Sequence, residues 1–137
     1  MPTWNPALAI GIPEIDAQHE ELFDRLDRLL GAMLKGESSE TSRLLDFLGE
    51  YALHHFALEE RQMQATRYPD AAAHKAAHQR FVKDFIELKE HFRAKGPTAA
   101  VTIELKSWVG DWLKSHIAST DQALARHLQG HRQGRPA

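Results

Sequence analysis

The chain has 137 residues, of which 42% are hydrophobic, so it can bury one core without disulfides but is too short for two domains. With 17 basic and 19 acidic residues the net charge is −2, which argues against binding to a nucleic-acid backbone. The absence of cysteine excludes disulfides, thiolate zinc sites and iron–sulfur clusters. Any metal ion must therefore be held by nitrogen and oxygen.

The N-terminal segment is rich in helix breakers. Residues 1–15 contain three prolines and Gly11, which predicts an extended arm. Its apolar side chains are expected to fix it along the core: Trp4, Leu8, Ile10, Ile12 and Ile15. After Asp16, a candidate N-cap, apolar residues recur every three or four positions to Lys35, and Gly36 follows. This pattern predicts a first helix with His19 in its first turn, facing inward.

A polar loop is expected over residues 37–40, followed by a second helix whose apolar stripe runs from Leu44 to Met63. His55 and Glu59 lie on this stripe, one helical turn apart. The helix should end near residue 67, because the proline in the next turn restricts the residue before it. Asp70 can then cap a third helix over residues 71–94.

The third predicted helix carries His74 and His78 on its inward stripe and ends before Gly96-Pro97. Thr98 can cap a fourth helix, which should continue without a break to about Leu128. The segment 129–137 is expected to be a disordered tail. Residues 1–128 would then form the single domain.

Four helices of similar length with short connections predict an all-α fold, an antiparallel up-down-up-down four-helix bundle with an extended N-terminal arm. Because successive helices alternate in direction, polar residues from all four helices fall at about the same depth. They are His19, His55, Glu59, His74, His78, His116 and Asp121. Burying so many polar groups without a partner is costly, which indicates a metal centre.

Asp121 is the least regular member of this set. A spacing of five residues places it about 140° around an α-helix from His116. It could therefore be a solvated surface carboxylate instead. The other members also have ordinary alternatives when taken singly, such as a core histidine bonded to a carbonyl oxygen or a surface pair.

Seven ligands exceed what one ion uses, so two metal ions are indicated. If Glu59 and Asp121 each bridge both ions together with an oxo or hydroxo group, five histidines divide into three and two. One ion then keeps an open position. Imidazole and carboxylate suit iron among the redox metals, with manganese or zinc as alternatives. None of the 11 glutamates begins the Glu-x-x-His motif of oxygen-activating di-iron bundles. With neutral imidazoles dominating, fewer anionic donors are present to stabilise highly oxidised iron, which favours reversible binding over oxygenation.

Taken together, the motifs resemble the hemerythrin family, and specifically single-domain bacterial hemerythrins. The stretches that carry the resemblance are Gly11-Ile12, Ile15-Asp16-Ala17-Gln18-His19, His55-Phe56-Ala57-Leu58-Glu59-Glu60, His74-Lys75-Ala76-Ala77-His78 and His116-Ile117-Ala118-Ser119-Thr120-Asp121. The resemblance implies a non-haem di-iron centre bridged by two carboxylates, Glu59 and Asp121. It assigns His74, His78 and His116 to a closed iron. It assigns His19 and His55 to an open one.

The resemblance also implies an apolar oxygen pocket formed by Leu22, Phe56, Trp112, Leu113 and Ile117. The alternative is that these five residues are only part of the core. Four further histidines lie outside the family pattern and are expected at the surface: His54, His91, His127 and His131.

The function expected from these residues is reversible dioxygen binding for storage, delivery or sensing, without catalysis. The alternatives are a di-iron enzyme that consumes peroxide or nitric oxide, and an iron-sensing or iron-storage module. A cytoplasmic location is expected, because the N-terminus does not resemble a signal peptide and no apolar stretch reaches the length of a membrane span. The expected partner is dioxygen, with neither nucleic acid nor membrane. The oligomeric state stays open, with a monomer as one option and an oxygen-consuming enzyme as one option for a recipient.

Overall fold

The computed structural model describes residues 4–132. A 3₁₀ turn, Pro6–Leu8, lies in the arm, and five α-helices follow: α1 Pro13–Leu34, α2 Ser38–Ala65, α3 Ala71–Lys95, α4 Ala99–His116 and α5 Gln122–Arg132. A π-helical segment, Ile117–Asp121, joins α4 to α5 without a loop. Together these three segments form the fourth long helix of the bundle. Helices α1 and α3 each pack against both α2 and α4. The predicted all-α four-helix bundle is confirmed.

The arm is tied to α1 by a side chain that was predicted to act differently. Helix α1 begins at Pro13, where a proline is tolerated because the first helical N–H groups have no intrahelical acceptor. The predicted N-cap role of Asp16 is therefore wrong. Its carboxylate instead accepts hydrogen bonds from the backbone N–H of Ile10 at 2.8 Å and Gly11 at 3.2 Å. Ile10 and Ile12 are buried, as the sequence predicts.

The connection between α1 and α2 is shorter than predicted. Gly36 has a φ of 70°, and the N–H of Glu37 donates to the carbonyl of Ala32, which ends α1. Helix α2 then begins at Ser38, so most of the predicted loop is helical. The residues of this segment are polar and largely exposed, and a first helical turn facing solvent accepts them without loss of burial.

The last predicted helix is wrong in one respect, because the π-helical segment interrupts it. Its predicted cap is observed, since Thr98 Oγ1 accepts a hydrogen bond from the N–H of Val101 at 3.2 Å. Asp70 does occupy the N-cap of α3, but its side chain makes no capping hydrogen bond. Residues 129–132 are helical, although the sequence assigned them to a disordered tail. The rest of that predicted tail lies outside the described residues.

The core follows the predicted apolar stripes of the helices. Its most deeply buried side chains include Leu26, Leu29, Leu48 and Leu105. Ile103 departs from the pattern, because it belongs to the apolar sequence of α4 but is 63% exposed. Across residues 4–132, none of the helices combines the length and the apolar character needed to cross a lipid bilayer.

Candidate metal centre

The bundle brings the seven predicted metal-binding side chains to one level of its interior. His19 comes from the first turns of α1, and the other elements contribute the remaining six: His55 and Glu59 from α2, His74 and His78 from α3, His116 from the end of α4 and Asp121 from the end of the π-helical segment. His116 is the most exposed of the set, at only 6%. All seven are therefore removed from bulk water.

The donor atoms fall into two groups, and within each group they all lie within 4.8 Å of one another. One group contains three histidines and the other contains two. Both carboxylates, Glu59 and Asp121, belong to both groups. The larger group also contains His74, His78 and His116, and the smaller one also contains His19 and His55.

The π-helical segment explains how Asp121 reaches the site. A π-helix closes i to i+5 hydrogen bonds, so its wider turn brings residues five apart towards the same face, which an α-helix does not. His116 and Asp121 stand in this relation, and Nε2 of His116 lies 3.0 Å from Oδ1 of Asp121. Asp121 is 0% exposed, so the alternative of a solvated surface carboxylate is wrong.

The carboxylate of Glu59 lies among three imidazole rings. Its Oε1 is 3.2 Å from Nε2 of His74 and 3.1 Å from Nε2 of His78. The same oxygen is 3.7 Å from Nε2 of His55. Glu59 therefore lies between histidines of the two groups.

Asp121 occupies the corresponding position on the other side of the cluster. Its Oδ2 lies 3.0 Å from Nε2 of His19, and its Oδ1 lies 3.1 Å from Nε2 of His74. His19 belongs to the smaller group and His74 to the larger. A carboxylate with one oxygen near each group has the arrangement needed to join two cations.

Several of these buried atoms have no hydrogen-bond partner, although the separations are short. They are Nε2 of His19, Nε2 of His116, Oε2 of Glu59 and both carboxylate oxygens of Asp121. An unpaired buried polar atom costs about 1–3 kcal/mol, so a set of them at one place needs an external partner. Imidazole nitrogens and carboxylate oxygens are suitable ligands for iron. The residues present fit a metal centre.

Burial and mutual contact give the two carboxyl groups opposite pKa shifts. Burial, reinforced by the charge of Asp121, raises the pKa of Glu59 well above its usual value. Burial alone would also raise the pKa of Asp121. However, the close imidazoles of His116, His19 and His74 hold this pKa well below its usual value. Without metal, Asp121 therefore holds a negative charge more readily than Glu59.

The histidines also differ among themselves. Burial lowers the pKa of His55 to about 3 and lowers that of His78 as well, so both imidazoles are neutral and able to bind a cation at pH 7. Burial acts in the same direction on His74. Its contacts with Asp121 and Glu59 outweigh burial and raise its pKa to about 9. A cation that binds His74 must displace a proton.

Two side chains that were not predicted to belong to the site contact the Nδ1 atoms of His55 and His78. Oε1 of Gln18 lies 2.7 Å from Nδ1 of His55, and Oε2 of Glu60 lies 3.0 Å from Nδ1 of His78. The sequence signals for them are their places in the stretches that carry the family resemblance and their adjacency to predicted ligands, since Gln18 directly precedes His19 and Glu60 directly follows Glu59. Polar residues at such positions usually face solvent, so the pattern alone does not single them out.

Comparison with known proteins gives a consistent result. A family model, "Hemerythrin HHE cation binding domain", matches residues 10–128. The chain belongs to the hemerythrin family. It is 34% identical to the bacteriohemerythrin of Stenotrophomonas maltophilia over 93% of this chain and 82% of that protein. It is 36% identical to the bacteriohemerythrin of Methylococcus capsulatus over 88% of this chain and 91% of that protein.

A crystal structure of wild-type hemerythrin superposes on this chain with a TM-score of 0.81. The two sequences are 33% identical, and the match covers 92% of this chain and 96% of that one. The resemblance inferred from the sequence motifs is thereby confirmed. The hemerythrin family binds non-haem iron and dioxygen and is generally not enzymatic. A buried cluster of histidine, glutamate and aspartate able to hold metal fits this family.

Of the five residues predicted to form the hemerythrin oxygen pocket, Phe56 and Trp112 contact histidines of the cluster. Leu22, Phe56, Leu113 and Ile117 are buried, and Trp112 is half-buried. The ring of Phe56 stacks on that of His78 with centroids 3.9 Å apart. The ring of Trp112 stacks on that of His116 at 4.3 Å. These aromatic side chains cover histidines of the larger group.

The remaining four histidines do not belong to either group of donor atoms found within residues 4–132. His54 and His131 are exposed, and so is His91, which pairs with Glu104. His127 is half-buried rather than on the surface, because its Nε2 lies 2.9 Å from Oγ1 of Thr66 at the end of α2. His127 therefore contacts the end of α2 and does not belong to the cluster of donor atoms.

Proposed function

We propose that this chain binds dioxygen reversibly at a non-haem di-iron centre, for storage, delivery or sensing of oxygen. The observation that carries the proposal is the unequal division of donor atoms around two shared carboxylates. Three histidines accompany Glu59 and Asp121 in one group, and two accompany them in the other. Equal groups would leave no reason for one ion to differ from its neighbour.

In this proposal Glu59 and Asp121 would be shared by the two ions, together with an oxo or hydroxo group. His74, His78 and His116 would hold one ion. His19 and His55 would hold the other, with one histidine fewer. The reduced pair would supply two electrons and one open position for dioxygen.

The protein's own contribution is to hold the histidines and to exclude water. Leu22 and Ile117 are 1% and 2% exposed, and Leu113 is 4% exposed. We assign these side chains, with Phe56 and Trp112, to an apolar pocket beside the centre. An apolar lining offers water no hydrogen-bond partner, which slows the entry of protons and the loss of an oxidised product.

The test is a cycle of anaerobic reduction, exposure to air and purging with argon, followed by visible absorption. Carriage of oxygen requires a spectrum that appears in air and disappears on purging over repeated cycles. Protein loaded with zinc is the matched control, because the same ligands then hold an ion that has no redox chemistry. Irreversible oxidation with turnover of peroxide or nitric oxide would instead identify a di-iron enzyme. Iron binding without any oxygen-dependent spectrum would identify a sensing or storage module.

A cytoplasmic location remains a prediction from the sequence, and a monomer and an oxygen-consuming enzyme as recipient remain options. The proposal does not depend on them. It does depend on two ions per chain, which elemental analysis of iron measures directly.

A further inference from the structure

In each of the two groups of donor atoms, one histidine has its Nδ1 atom within hydrogen-bond distance of a neighbouring side chain. In the larger group it is His78, with Nδ1 at 3.0 Å from the Glu60 carboxylate. In the smaller group it is His55, with Nδ1 at 2.7 Å from the Gln18 amide oxygen. The Nδ1 atoms of His19 and His74, by contrast, are buried without a hydrogen-bond partner.

Both contacts favour the same form of the ring, but only the carboxylate fixes it. Glu60 can only accept a hydrogen bond, so Nδ1 of His78 donates and Nε2 carries the lone pair. The amide oxygen of Gln18 favours the same form of His55 less strictly, because an amide can also donate. Nε2 of His78 does face the cluster, 3.1 Å from the carboxylate of Glu59. A histidine locked in this way loses little freedom when it binds a cation.

The two supporting side chains differ in charge but hardly in shape. Glu60 presents a carboxylate and Gln18 presents a neutral amide of the same length. Hydrogen bonds to a charged acceptor are about twice as strong as those between neutral groups. A carboxylate behind a metal-binding histidine also raises the basicity of the ring as a ligand. Nε2 of His78 is therefore expected to be a stronger metal ligand than Nε2 of His55.

The partly exposed position of Glu60 lowers the desolvation cost of its negative charge. Its side chain is 31% exposed, whereas that of His78 is 2% exposed. Glu60 also borders a surface groove between α2 and α3, together with Leu53, Ala57 and Val82. The carboxylate keeps part of its hydration while it contacts a buried ring, so it avoids most of the cost of a buried charge.

We propose that Glu60 and Gln18 are positioning residues that add to the difference in metal affinity set by three histidines in one group and two in the other. A first divalent cation binds at the group with His74, His78 and His116, and a second binds at the group with His19 and His55. The inference rests on the proposed di-metal function. It concerns the order and strength of loading, and no dioxygen is needed to test it.

The experiment titrates metal-free full-length protein with Co²⁺ under anaerobic conditions, followed by calorimetry and visible absorption. The wild type is expected to bind in two steps of different affinity. Glu60→Gln keeps the size of the side chain and removes its charge, and it should weaken the tighter step by about 10- to 100-fold while the weaker step changes little. Gln18→Glu should strengthen the weaker step and so reduce the ratio of the two affinities.

Glu50→Gln is the matched control, because Glu50 is exposed on the same helix and its replacement removes the same charge about 15 Å along the helix axis from Glu60. It should leave both steps unchanged. A purely structural role for Glu60 would lower the stability of Glu60→Gln in urea without changing the ratio of the two affinities. That result, or equal binding by wild type and Glu60→Gln, would overturn the inference.

A second measurement examines the ring itself. Nitrogen NMR of the metal-free protein should show His78 protonated at Nδ1, and Glu60→Gln should mix the two tautomers because an amide can also donate. Protonation of His78 at Nε2 in the wild type would overturn the inference. Uptake of a single Co²⁺ would overturn the di-metal centre of the proposed function, whereas the NMR result judges the role of Glu60 independently.

Discussion

Replacing Leu113 with alanine tests whether apolar side chains protect the metal centre from water. Leu113 is 4% exposed and lies one helical turn before His116. The replacement removes three carbon atoms, and at about 0.8 kcal/mol per buried CH₂ group the transfer cost is about 2.4 kcal/mol. The space left behind adds to this cost. The free energy of unfolding should therefore fall by about 3–5 kcal/mol.

In the proposed pocket, the vacated space would adjoin the polar side chains of the cluster, so water entering it would find hydrogen-bond partners. We expect the oxygen-loaded form of Leu113→Ala to autoxidise severalfold faster than the wild type. The assay follows the decay of the oxygen-dependent spectrum in air, and urea denaturation of the metal-free protein measures the stability loss in parallel.

Leu105→Ala provides the matched control. Leu105 is 0% exposed and lies two turns before Leu113 on the same face of α4, about 12 Å along the helix axis. Its loss should cost similar stability and leave the autoxidation rate unchanged. If both variants autoxidise at the same increased rate, general loosening of the core is responsible and the pocket reasoning is refuted. An unchanged rate in Leu113→Ala refutes it as well.

Three further predictions follow from the structure. Metal uptake at pH 7 should release at least one proton, because contacts with Asp121 and Glu59 raise the pKa of His74 to about 9 without metal. Burial also raises the pKa of Glu59, so zinc affinity should rise by at least about tenfold per pH unit up to about pH 9. Competition titrations that show no pH dependence would contradict this. His74→Ala should lower the iron content per chain, measured by elemental analysis, whereas alanine at the exposed His91 should not; equal iron in both variants would count against His74 as a ligand. Gly36→Ala should lower the free energy of unfolding in urea by about 1 kcal/mol, because Gly36 has a φ of 70°. Gly31→Ala should raise it by about 0.5–1 kcal/mol, because Gly31 lies within α1 and a Cβ there would face open space. Effects of the same sign in the two variants would be inconsistent with this account.

The sequence was sufficient for the bundle and for most of the cluster because both depend on short-range periodicity. His55 and Glu59 share an apolar stripe at a spacing of four, and so do His74 and His78. Alternation of helix direction then places these residues at one depth. The ends of the elements were predicted less well. Helix α1 begins at Pro13 rather than Asp16, because Asp16 bonds to the arm instead of capping the helix.

The supporting residues could not be found in the same way. Gln18 and Glu60 act through contacts with histidines on other helices, at sequence separations of 37 and 18 residues. Nothing in the neighbourhood of Gln18 indicates that its amide faces His55 of α2. Only the packing of one helix against another decides this.

The amino-acid sequence by itself determined an all-α chain with nine histidines, five of which recur at positions where a helix faces its neighbours. It determined the types of donor atom, since without cysteine only nitrogen and oxygen remain. The tertiary structure decided that Asp121 joins the cluster, because the π-helical segment Ile117–Asp121 turns it towards His116. It also decided which histidines are contacted at Nδ1 by a neighbouring side chain and which carboxyl group has the lowered pKa. These properties arise from distances between helices, and a linear pattern contains no such distances.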